Sequence, residues 1–89
     1  MPVLFVIPGA LRELAGNRAE VRVDGTPGSI AAALSLLWSE CPAVRDRVMT
    51  ERGEVRPHIN IFVDGERAVL GTPLAAGAEV FIMTAISGG

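Results

Sequence analysis

The chain contains no lysine and no tyrosine, and all eight of its basic residues are arginine. Without an ε-amino group, no isopeptide bond can be made onto a side chain of this protein. If its C-terminus were activated, the protein would act as a donor only and could not build lysine-linked chains of itself. A single cysteine, Cys41, excludes an internal disulfide and a cysteine-based zinc site. The lone histidine, His58, has no acidic or cysteine residue beside it in sequence. It reads as a strand-edge side chain rather than a metal ligand or a base, and no metal site is expected. Basic blocks are missing as well. Eight basic residues stand against ten acidic ones, for a net charge of −2, which argues against nucleic acid as a partner. Long hydrophobic runs are also absent from the N-terminus. The run from Val3 to Ile7 is too short for a signal or membrane span and is closed by Pro8-Gly9, so the expectation is a cytoplasmic protein with no membrane partner.

What is present is enough for one small domain. The chain has 89 residues, 49% of them hydrophobic. The mean hydropathy of +0.40 suits a compact core with apolar surface left over. Val3 to Ile7 is a short, continuous apolar run, which predicts a strand buried on both faces or nearly so. Leu11 and Leu14 suggest at most one helical turn before Gly16-Asn17. From Ala19 to Asp24 apolar and charged residues alternate, with Val21 and Val23 on one face and Glu20 and Arg22 on the other, predicting a half-exposed strand.

Thr26-Pro27 has the chemistry of a helix start, with threonine as cap and proline at the first helical position. Ile30, Leu34, Leu37, Trp38 and Cys41 then mark an amphipathic stripe that Pro42 ends. Cys41 on that stripe reads as a buried structural thiol, and Trp38 as core. Ala43 to Thr50 predicts a second, shorter helix with Val44 and Val48 facing inward, and Glu51 to Pro57 a loop. Ile59 to Val63 predicts a strand, Asp64-Gly65 a tight turn, and Arg67 to Val69 a short returning strand. Gly71-Thr72-Pro73-Leu74 and Gly77 mark further turns. Glu79 to Ala85 predicts the last strand, with Val80 and Ile82 on one face and Phe81 and Met83 on the other.

This order predicts an α+β, β-grasp architecture: a mixed sheet of about five strands wrapped on one main helix. The first and last strands should lie side by side and parallel at its centre. The expected division is a domain over 1–85 and a flexible C-terminal tail over 86–89.

That tail is Ile86-Ser87-Gly88-Gly89. Two terminal glycines lose the most backbone entropy on ordering and have nothing to pack. At average composition a chain ends this way roughly once in 200 times. A tip without Cβ atoms can enter a slot too narrow for other residues and present its carboxylate inside a partner. The alternative is a frayed end.

The run His58-Ile59-Asn60-Ile61-Phe62-Val63-Asp64-Gly65, then Thr72-Pro73-Leu74-Ala75-Ala76-Gly77, then Glu79-Val80-Phe81-Ile82 and the terminal Gly88-Gly89, resembles the ubiquitin-like bacterial sulfur-carrier proteins of the ThiS/MoaD/CysO type. The likeness covers nearly the whole chain and is nearer the CysO and MoaD types than the shorter ThiS type. One departure stands at Ala78, where the family often carries an acidic residue; here the acid follows at Glu79.

The resemblance implies a route. A ubiquitin-activating-type adenylyltransferase and sulfurtransferase would use ATP to adenylate the Gly89 carboxylate. A sulfur donor would displace AMP and leave a thiocarboxylate. A sulfur-accepting biosynthetic enzyme would then receive the sulfur: cysteine-synthase-like, a molybdopterin-synthase large subunit, or thiazole-synthase-like. The chain itself would be a protein co-substrate without catalytic residues or a bound cofactor. Gly88, Ser87 and Ile86 would thread the partner. Phe62, Phe81 and Met83, on the face away from the helix, would form a docking patch. Arg56 and Arg67 are candidates for steering an acidic partner surface. The competing function is a protein modifier joined through Gly89 to lysines of other proteins.

Overall fold

The computed structural model describes residues 2–25 and 27–84. Five strands form one mixed sheet in the order β2-β1-β5-β3-β4. They are β1 (Val3–Val6), β2 (Glu20–Val23), β3 (Ile59–Val63), β4 (Glu66–Ala68) and β5 (Glu79–Thr84). β1 and β5 run parallel at the centre, with Leu4 opposite Glu79, Phe5 opposite Val80 and Val6 opposite Phe81. The other pairings are antiparallel. This is the β-grasp sheet expected from the order of elements.

One long helix, α1 (Ile30–Glu40), covers one face of the sheet. Ile30, Ala33, Leu34 and Leu37 repeat at helical spacing and are buried. They meet the inward residues of the strands, among them Phe5, Val21, Ile61, Val80 and Ile82, in one hydrophobic cluster. A shorter helix, α2 (Pro42–Val48), adds Val44 and Val48 to that cluster, as the sequence pattern predicts. Cys41 joins them, buried between the two helices with the Arg18 Nη2 donating to its Sγ at 3.1 Å. Trp38 is only half-buried and packs on the margin of the core.

Two expectations change. α1 opens at Ile30, three residues after the Thr26-Pro27 start, and its cap is Ser29, whose Oγ accepts the Ala32 N–H at 3.2 Å; Thr26 lies outside the described residues. Tertiary pairing explains the shift. Ser29 bridges Pro73, Leu74 donates to the Gly28 carbonyl at 3.2 Å, and the Ile30 N–H is claimed by the Thr72 carbonyl at 2.9 Å. These bonds hold the chain extended where proline would otherwise begin a turn of helix. The second change is at Leu11 and Leu14, which lie in a seven-residue 3-10 helix, Gly9–Ala15, rather than a single turn. Leu11 is buried, and the Arg12 Nε returns to the Ile7 carbonyl at 3.0 Å, closing the start of the segment.

The turn between β3 and β4 fixes where β5 begins. Asp64 and Gly65 both take positive φ, 49° and 89°, which a tight hairpin turn of this hand requires. The Asp64 Oδ1 accepts the Glu79 N–H at 3.1 Å, and the Asp64 N–H donates to the Glu79 carbonyl at 3.0 Å. Ala78 beside it is buried, and its carbonyl accepts the Leu4 N–H at 3.0 Å. A carboxylate at 78 would be desolvated there without a partner, which accounts for the acid standing at Glu79 instead.

Leu37 is fully buried at the centre of the stripe. Leu37→Ala is expected to destabilise the domain by about 2–5 kcal/mol, measured by denaturant unfolding.

Candidate functional site

The sheet face away from α1 carries the candidate docking residues. Strand register sets them in rows. One row crosses the whole sheet as Glu20, Val6, Phe81, Phe62 and Arg67. The next rows place Leu4 beside Glu79 and Met83 beside Asn60. Phe62 and Phe81 are directly opposed on neighbouring antiparallel strands, where side chains interact most strongly. Both are half-buried, as are Leu4 and Val6, and Met83 is 48% exposed. The face is therefore an apolar band across the three central strands with charged residues at both margins. The sequence pattern identifies Phe62, Phe81 and Met83; it misses Leu4 and Val6, because an unbroken apolar run does not reveal which residues face outward.

The root of the tail adjoins this band. β5 ends at Thr84, opposite Ile59, one residue beyond Met83. The expected site residues Ile86, Ser87, Gly88 and Gly89 lie outside the described residues, as does Ala85. Of the other candidates, His58 is exposed near the same end of β3 and Cys41 is buried away from the face. Arg56 and Arg67 separate: Arg67 stands beside Phe62 at the margin of the apolar band, whereas Arg56 lies before β3, near the tail root. Among the described residues no polar or charged side chain is buried, and no three His, Cys, Asp or Glu side chains gather into a metal-ligand group. No helix among them is long and apolar enough to cross a membrane.

A β-grasp sheet with its last strand at the centre and two glycines beyond it is the arrangement of a known family, and direct comparison decides the matter. The family model described as ThiS matches residues 5–89. The chain belongs to the ThiS family. It is 41% identical over 80 residues to small archaeal modifier protein 1 of Haloferax volcanii, covering 89% of this chain and 91% of that one. The crystal structure of SAMP1 from the same organism superposes with a TM-score of 0.89 at 36% identity over 100% of both chains. That of CysO from Mycobacterium tuberculosis gives 0.83 at 28% identity, over 94% of this chain and 99% of the other. The ThiS-family chain thus stands among small ubiquitin-like carriers and modifiers, and its relatives are archaeal as well as bacterial.

The opposed pair on the outer face is open to measurement. A double-mutant cycle on Phe62→Ala and Phe81→Ala is expected to return a coupling of about 0.5–1.5 kcal/mol in unfolding free energy. A coupling near zero would show that the two rings do not pack.

Proposed function

We propose that the protein is a sulfur carrier whose reactive group is the Gly89 carboxylate. The observation that carries this reading is a Gly-Gly ending, matched within the ThiS family, that begins a few residues after a central strand. A free carboxylate resists nucleophiles because it is anionic and lacks a leaving group. In the proposed route a ubiquitin-activating-type enzyme directs the carboxylate oxygen onto the α-phosphorus of ATP. Pyrophosphate leaves, and an acyl-adenylate forms. A sulfur nucleophile then attacks the acyl carbon and expels AMP, leaving sulfur on the Gly89 carbonyl. A second, biosynthetic enzyme takes that sulfur.

The carrier holds no cofactor in this scheme; ATP is consumed by the partner. Its own contribution is placement. Ile86, Ser87, Gly88 and Gly89 thread the partner, and the docking face positions them, so that two reactants become effectively one. The face suits that task because its apolar centre has charged margins, the usual anatomy of a protein interface.

A second reading is favoured by the likeness to small archaeal modifier protein 1, which is named as a modifier. In that reading the activated Gly89 is joined to lysines of other proteins. The absence of lysine in this chain is compatible with a donor of either kind.

Mass spectrometry separates the two. After incubation with its activating enzyme, ATP and a sulfur donor, the carrier is expected to exchange one terminal oxygen for sulfur. A modifier would instead leave its C-terminal tryptic peptide, Ala68 to Gly89, on lysines of other proteins, because Arg67 is the last cleavage site. Phe81→Arg is expected to raise the KM for the carrier by about tenfold, equivalent to about 1.4 kcal/mol of lost docking.

A further inference from the structure

Arg47, Arg56 and His58 line a surface groove together with Asp46. The backbone sets this groove at the root of the tail. Thr84, the last residue of β5, lies opposite Ile59, the residue after His58. Arg56 is tied to the same place, since its carbonyl accepts the Ile59 N–H at 2.9 Å and its own N–H donates to the Val48 carbonyl at 2.9 Å. Its guanidinium is held as well. Nε and Nη2 both donate to the Asp46 backbone carbonyl, at 3.1 and 2.8 Å.

That grip positions the charge without neutralising it. Two ion pairs form among the described residues, Arg18 with Glu40 at 3.9 Å and Arg45 with Asp46 at 3.8 Å, and neither includes Arg47 or Arg56. A guanidinium fixed by a backbone acceptor keeps its remaining N–H donors aimed outward, in a geometry that matches a carboxylate. Arg47 and His58 supply further donors at the same lip.

We propose that Arg47 and Arg56 form a cationic contact, with His58 as a further hydrogen-bond donor, that seats the root of the tail against a carboxylate-bearing rim on the activating enzyme, at the mouth of the channel the tail enters. The contact rests on the reading of Gly89 as the activated group. Reach identifies the occupant as the surface of the activating enzyme. The five residues 85–89 span at most about 17 Å when extended. The Gly89 carboxylate must touch ATP, so the enzyme's ATP site lies within that distance of Thr84 and the protein surface around it comes against the groove. Two arginines and a histidine in a chain of net charge −2 also make too small a patch for a nucleic-acid backbone. The groove and the apolar band together border the end of β5, so one partner can engage both while taking up the tail.

The test is steady-state ATP–pyrophosphate exchange by the activating enzyme with the full chain as substrate, at low and high salt. The Arg47→Glu/Arg56→Glu variant is expected to raise the KM for the carrier by about tenfold at low salt, leave kcat within about twofold, and flatten the salt dependence of KM. Arg52→Glu, at the Thr50–Gly53 turn and equal in charge change to Arg47→Glu alone, is expected to leave KM within about twofold. Thermal melting checks the fold. Arg47→Glu alone, which breaks none of the bonds that hold Arg56, carries the test if the double variant unfolds. An unchanged KM with normal turnover of the wild type overturns the contact and leaves the Gly89 reading intact. Absence of exchange with the wild type overturns both.

Discussion

The parallel pairing of β1 with β5 is the constraint on which the rest of the molecule depends. It joins the first strand to the last at the centre of the sheet, with Phe5 opposite Val80 and both fully buried. Parallel neighbours cannot be joined by a tight turn. The chain must leave the sheet, cross it and return, and α1 is packed within that excursion, where its apolar stripe closes the core. Because β5 is the last described strand and lies between β1 and β3, Thr84 falls at the middle of one sheet end rather than at an edge.

The two faces of β5 then divide the work. Val80 and Ile82 point into the core and carry stability; Phe81 and Met83 point away from α1 and stay accessible. Substitution on the inner face is costly because it leaves a cavity. Substitution on the outer face leaves no enclosed cavity and costs less, chiefly the cross-strand contact of Phe81 with Phe62. This division lets a small domain present an apolar surface while most of its stability rests on the inner face, the Phe62–Phe81 pair adding a smaller share. The Asp64 carboxylate, bonded to the start of β5, fixes the register on which the arrangement relies.

Much of this was legible in the residues. Alternation in Glu79 to Thr84 separates the core face from the outer face because the environments differ on the two sides of that strand. The Asp64-Gly65 turn is legible because few residue pairs tolerate positive φ. What escaped is set by contacts between distant segments. Ser29 caps α1 because residues 70–74 bond to residues 28–31, and no local pattern near Thr26 records that. The outward position of Leu4 and Val6 depends on strand pairing, not on their own neighbours. The cluster of Arg47, Arg56 and His58 joins a helix, a loop and a strand end, so spacing along the chain hides it. The tail's role is argued from sequence, family and the place where β5 ends.

In the proposed route, recognition resides in the folded domain and chemistry in the Gly89 carboxylate. The most direct measurement compares the full chain with Gly88→Val and with a chain lacking Gly88-Gly89, following both binding to the activating enzyme and ATP–pyrophosphate exchange. Both variants are expected to fold and still bind, and exchange is expected to be lost in each. Exchange that persists without the two glycines would contradict that route.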